Sequence, residues 1–186
     1  MKRCWITNRA LFPSLDALLE CAARACTAGV SMIQVREKDL PTRDLCDLVH
    51  HFLAVCPQTR IIVNSRLDVA LSLRAHGVHL PGGSPPPSAL RRVCPPRFLI
   101  GVSCHSIDDL RAATLDGADY AFLSPIFSPI SKTSPLPPLG LDILARACAS
   151  VSIPVYALGG ITELNAEACI KAGASGVAGI SLFSSV

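Results

Sequence analysis

The sequence predicts an α/β fold in which eight parallel strands close into a TIM (β/α)8 barrel. Three observations lead there. Short apolar runs alternate with longer amphipathic stretches from one end of the chain to the other. The runs show little polar alternation, as parallel strands covered on both faces should. There are eight of them, the number that closes into a barrel.

The strands are expected at residues 4–7, 32–36, 61–64, 77–80, 99–102, 120–123, 155–158 and 176–180. Helices fill most of the gaps. Residues 14–28 carry an apolar stripe at helical spacing (Leu15, Leu18, Leu19, Ala22, Ala23, Cys26), and Gly29 ends it. Residues 42–55 repeat the pattern with Leu45, Leu48, Val49 and Phe52, with Thr42 as the expected N-cap. Residues 106–115 open with a capping serine and two aspartates, which favour a helix start. Residues 162–172 follow Gly159-Gly160 and stop at Gly173. Shorter helices fit residues 66–73, 88–93 and 142–149.

The 186 residues are read as one domain, residues 1–186. That is short for a barrel of this type, which usually takes about 250 residues. The sequence stops just after the eighth strand, so the final C-terminal helix is expected to be missing. The outer face of that strand should then be bare unless a second copy covers it, which makes a homo-oligomer an expectation. The competing architecture is an open doubly wound sheet. It usually needs a glycine-rich first turn, and Thr7-Asn8-Arg9-Ala10 contains no glycine.

Composition narrows the function. Half the residues are hydrophobic and 17% are charged, which excludes disorder. No apolar run reaches the roughly 20 residues of a membrane span, and the N-terminus lacks the apolar segment of a signal peptide. The net charge of +3 comes from scattered Lys and Arg. That argues against nucleic acid and suits a small anionic ligand. The nine cysteines include no C-x-x-C pair and sit mostly in apolar or helical patterns. They are read as buried thiols in a reducing, cytoplasmic setting, with no zinc site.

Ligand chemistry in a barrel sits at the strand C-terminal ends. Gly159-Gly160 after the seventh strand, and Gly179, Ile180 and Ser181 after the eighth, fall where such barrels bind phosphate. Glycines let backbone N–H groups approach an anion; the alternative is that they only make tight turns. Gln34, Arg36 and Lys38 alternate along an extended segment, which puts them on one side, facing the barrel mouth. Arg36 and Lys38 could hold a second anion, or form a solvated charge cluster. Lys132, in a long proline-rich loop, could close over the ligand. His105 is the candidate general acid or base, or else a structural histidine bonded to backbone. His79, within a strand, is read as structural.

Seven segments then resemble one family. They are Ile33-Gln34-Val35-Arg36-Glu37-Lys38-Asp39, Val63-Asn64-Ser65-Arg66-Leu67-Asp68-Val69-Ala70, Gly77-Val78-His79-Leu80-Pro81, Ile100-Gly101-Val102-Ser103-Cys104-His105-Ser106, Ala118-Asp119-Tyr120, Ser124-Pro125-Ile126-Phe127 and Ala157-Leu158-Gly159-Gly160-Ile161. Their order and spacing are similar to those of thiamine phosphate synthase and its relative TenI. The resemblance implies a thiamine-biosynthesis protein that binds a phosphorylated thiazole. In the synthases, magnesium helps pyrophosphate leave a pyrimidine, and the thiazole nitrogen captures the cation. By that likeness Gln34, Arg36, Lys38 and Asn64 would hold the pyrimidine, Lys132 the pyrophosphate, and Gly160, Ile180 and Ser181 the thiazole phosphate.

Two departures set the expectation. The resemblance places magnesium-binding aspartates where this chain has Ser65 and Ser84, and a neutral serine is a weak ligand for that hard cation. The chain is therefore expected to be closer to TenI, acting as a thiazole tautomerase without a metal or other cofactor. The tautomerase's strand-six histidine appears here as Pro125, so His105, with Glu37 second, becomes the expected proton-transfer group. The alternatives are a true synthase that uses magnesium and a non-catalytic phosphate-binding barrel.

Overall fold

The computed structural model describes residues 1–128 and 136–183. Lys132 lies outside the described residues. The strands are β1 (Lys2–Ile6), β2 (Met32–Val35), β3 (Arg60–Asn64), β4 (Gly77–Leu80), β5 (Leu99–Cys104), β6 (Tyr120–Leu123), β7 (Val155–Ala157) and β8 (Gly176–Gly179). Each pairs in parallel with the next, and β8 pairs with β1, so the barrel closes. The helices are α1 (Leu15–Thr27), α2 (Thr42–Val55), α3 (Leu67–Ser72), α4 (Pro87–Arg91), α5 (Ile107–Leu115), α6 (Gly140–Ala149) and α7 (Glu163–Lys171).

Strand periodicity divides the apolar residues into two cores. Trp5, Ile33, Ile61, Val63, Val78, Ile100, Leu123 and Val177 pack outward against the helices. Their neighbours Cys4, Ile6, Met32, Ile62, Phe122 and Ala178 fill the barrel, together with Tyr120 and Tyr156. Gly101 makes room for this second group, since a Cβ there would run into the ring of Tyr120.

The helix starts follow side-chain chemistry. The hydroxyl oxygen of Ser14 accepts the Ala17 N–H at 3.2 Å, and that of Ser106 accepts the Asp109 N–H at 3.0 Å. Thr42 is not an N-cap: it is the first residue of α2, after Pro41, and its hydroxyl accepts a hydrogen bond from Arg66. A 3-10 turn at Arg9–Leu11, capped by Asn8, was not expected.

The expectation of a bare eighth strand is also corrected. All four residues of β8 are buried. Helix α7 packs on β8, and a 3-10 turn at Ser181–Phe183 brings Leu182 against Gly179. The reason given above for expecting self-association at this edge therefore falls away.

Candidate active site

The C-terminal ends of the strands surround a cavity of about 280 Å3. Its wall includes Gln34, Arg36, Lys38, Asn64, His105, Gly159, Gly160, Gly179, Ile180 and Ser181, so the structure brings together ten of the residues picked out from the sequence.

On one side, β2 delivers Gln34, Arg36 and Lys38. Gln34 is 1% exposed, and its Nε2 is buried with no hydrogen-bond partner among the described residues. An unpaired buried amide is costly, and an acceptor on a ligand would satisfy it. The Arg36 backbone is fixed by its N–H donating to the Thr7 hydroxyl at 3.0 Å. Neither Arg36 nor Lys38 has a carboxylate partner among the described residues. Two uncompensated cations thus stand at the cavity mouth.

On the other side, the loop after β7 bends through Gly159 (φ 93°) and Gly160 (φ 63°). The loop after β6 holds it in place. The N–H of Ile126 donates to the Leu158 carbonyl at 2.9 Å, and that of Phe127 to the Gly159 carbonyl at 3.0 Å. Consecutive left-handed glycines and the turn after β8 thus stand side by side in the cavity wall.

Asn165 of α7 fixes this loop from below, a role not read from the sequence. Its Oδ1 accepts the Thr162 N–H at 2.8 Å, and its Nδ2 donates to the Gly160 carbonyl at 2.9 Å. The only signal available was a polar residue three places after a capping threonine. Replacing Asn165 with alanine is expected to raise KM for a phosphorylated substrate about tenfold with a smaller change in kcat, measured by steady-state kinetics. Equal KM values would mean that the loop holds itself.

The floor was underestimated. His79 is 1% exposed, stacks on Phe122 with ring centroids 4.3 Å apart, and lines the cavity. Its Nε2 is 2.8 Å from the Ser103 hydroxyl, and its Nδ1 is 3.2 Å from the Tyr120 hydroxyl. Burial, reinforced by Arg36, pushes its pKa down to about 3, so the ring is neutral near pH 7. Ser103 also lines the cavity, because β5 continues two residues past its expected end.

His105 follows β5, and its N–H donates to Asp109 at 2.8 Å. Its Nδ1 is 2.6 Å from the Ser124 carbonyl. A carbonyl only accepts, so Nδ1 carries the proton and Nε2 of the neutral ring keeps a lone pair.

Glu37 is not in this wall. It is buried on the other side of the β2 extension, where Oε1 accepts from the Thr7 hydroxyl at 2.6 Å and the Arg9 N–H at 3.0 Å. That carboxylate ties the loop after β1 to the end of β2, and the structure gives no support for it as a proton-transfer group in the cavity. Pro125 stands in the wall and brings no titratable group.

The family description thiamine monophosphate synthase matches residues 4–183. The chain belongs to the thiamine monophosphate synthase family. The thiamine-phosphate synthase of Methanoculleus marisnigri is 43% identical over 164 residues, covering 87% of this chain and 78% of that one. That of Chlorobium luteolum is 39% identical over 180 residues, covering 96% and 82%. The solved thiamine phosphate pyrophosphorylase of Pyrococcus furiosus superposes with a TM-score of 0.86 at 31% identity, over 100% of this chain and 88% of the other. Its fold is the closed barrel described above. Within the described residues, no helix is long and apolar enough to cross a membrane.

Synthases of this family use magnesium by the resemblance drawn above, and the donor set here does not fit it. Ser65, at φ 63°, accepts a hydrogen bond from the Asn64 amide at 2.9 Å. The Ser84 hydroxyl donates to the Pro81 carbonyl at 2.7 Å. The nearby Asp39 and Asp68 are held by Arg9 and Arg66. Among the described residues, no three His, Cys, Asp or Glu side chains converge as metal ligands. Residues 129–135 contain no carboxylate.

Proposed function

We propose that the chain is a thiamine phosphate synthase-type transferase. It would join a hydroxymethylpyrimidine pyrophosphate to a thiazole phosphate. The C–O bond to pyrophosphate breaks with the electron pair leaving on oxygen, and the thiazole nitrogen lone pair forms the new C–N bond. One observation carries this reading: the cavity has two unlike ends. The two-glycine turn supports binding of the thiazole phosphate. The unpaired Gln34 amide and the free cations of Arg36 and Lys38 support binding of a polar ring that carries a charged leaving group. Asn64 completes that end. The names of the relatives support the transferase class. Arg36 and Lys38 would counter charge as it develops on pyrophosphate.

The second reading is a thiazole tautomerase, favoured by the engaged serines at positions 65 and 84. His105 would then accept the proton at Nε2. A single assay separates the two. The enzyme is given both substrates with magnesium or with EDTA, and pyrophosphate release is followed; in parallel it is given carboxythiazole phosphate, and aromatisation is followed by absorbance. Pyrophosphate release matched by thiamine phosphate is expected. Aromatisation alone, lost in His105→Gln, would establish the second reading. Ligand binding without either turnover would leave a binding barrel.

A further inference from the structure

The other end of the barrel holds a second recess that the proposed reaction does not use. It opens to solvent and measures about 230 Å3 beside the N-terminal ends of β3, β4 and β5, with its three arginines exposed. Arg60, Arg74 and Arg97 line it, and its wall contains no carboxylate. None of the three guanidinium groups has an ion-pair partner among the described residues. Phe98, 5% exposed, lies in the wall with Pro95 and Pro96, and these side chains offer no acceptor that would compete for the cations.

His76 adds a neutral donor. Its Nδ1 accepts the Ile61 N–H at 3.0 Å, which leaves the ring proton on Nε2. Partial burial and the charge of Arg60 lower its pKa, which favours this neutral form.

The backbone fixes the place of two of these side chains. Among the described residues, Arg74 (φ 54°) and Arg97 (φ 67°) are two of three non-glycine residues in the left-handed region. That conformation is unfavourable for a side chain with a Cβ, and glycine or asparagine usually occupies it. Here both positions carry long cations that make no ion pair among the described residues. Arg74 closes α3, with the Ala75 N–H on the Ala70 carbonyl at 2.9 Å, and Arg97 sits in the turn in which the Phe98 N–H meets the Pro95 carbonyl at 3.2 Å, so two tight turns set where these side chains leave the backbone.

We propose that this recess is a second anion site, for a small ligand carrying two or more phosphoryl groups, such as inorganic pyrophosphate or a nucleoside diphosphate. Three guanidinium groups, one at the start of β3 and two in the turns before β4 and β5, bring three positive charges to one recess, which suits a ligand with more than one phosphoryl charge.

Because the cavity at the barrel mouth is also expected to take phosphoryl groups, the test separates the two sites. Arg36→Ala weakens the mouth site. In that background, calorimetric titration of the full chain with inorganic pyrophosphate, and separately with ADP, should still show one site for at least one of them. Adding Arg74→Gly and Arg97→Gly should weaken that site about a hundredfold, roughly tenfold per charge-assisted contact. The melting temperature should stay level or rise, because glycine relaxes the backbone. Arg74→Lys with Arg97→Lys keeps the charge and loses the paired donors, so its affinity should fall between the parent and the double glycine variant. Arg60→Gln, which leaves both turns untouched, should weaken binding about tenfold. Neither ligand binding in the Arg36→Ala background would overturn the proposal, as would affinity unchanged by both the double glycine variant and Arg60→Gln.

Discussion

Lowering the pH from 6.5 to 4.5 is expected to remove about 2 kcal/mol of folding stability through His79 alone. The ring is buried in the barrel, between the hydroxyls of Tyr120 and Ser103 and against Phe122. Its folded pKa is depressed from 6.5 to about 3, mainly because burial penalises the charged form. The unfolded chain therefore binds a proton below about 6.5 that the folded chain refuses until about 3. Within that window stability falls as pH falls, by roughly 1.4 kcal/mol per pH unit. Above it, His79 contributes no slope.

Urea unfolding at half-unit steps from pH 4.5 to 7 measures this directly. His79→Gln keeps a donor and an acceptor but cannot titrate, so its stability curve should be markedly flatter than the parent's. The window lies above the region where Asp39 and Asp68 respond, since both are held below the usual carboxylate range by Arg9 and Arg66. Parallel curves for parent and variant would mean that His79 is protonated in the folded protein, in conflict with its burial.

The same residue shows what could be read from the sequence and what could not. Apolar runs and glycine turns located every strand because burial on both faces leaves a local composition signal. The alternation of Gln34, Arg36 and Lys38 put three side chains in the cavity for the same reason. That alternation also carried an unused consequence: Glu37, one step out of phase, had to face the other way, and it does. For an isolated strand such as β4, parity says only that His79 shares a face with Gly77. The pairing of β4 with β5, which sets His79 opposite Gly101, places Ser103 one step further along the same face. Side chains that meet across strands leave no mark in either segment. Arg60, Arg74 and Arg97 were invisible for that reason, being scattered along the chain until the barrel closed.

Replacing Gly160 with alanine is expected to reduce kcat/KM at least a hundredfold, and the argument rests on two constraints acting at one atom. At φ 63° an added side chain is strained whatever space surrounds it. Space is also lacking. A Cβ would lie 2.5 Å from the Ser128 carbonyl oxygen and 2.8 Å from the Cβ of Phe127. The clash with Ser128 is with backbone, so no rotamer change relieves it. The loop after β6 is moreover tied to this turn by hydrogen bonds from Ile126 and Phe127. The turn must therefore move away from the cavity, and the Asn165 bond to the Gly160 carbonyl goes with it. A displacement near 1 Å of groups that position a phosphoryl anion is enough for roughly a hundredfold loss. Titration with thiazole phosphate should show weaker binding, while the helical circular dichroism signal is retained, because α7 keeps its Thr162 cap. Asn165→Ala, which loosens the same turn without a clash, should fall between Gly160→Ala and the parent. An alanine variant with parental affinity for thiazole phosphate would show that the anion is held elsewhere, and the two-ended cavity on which the transferase proposal rests would lose one end.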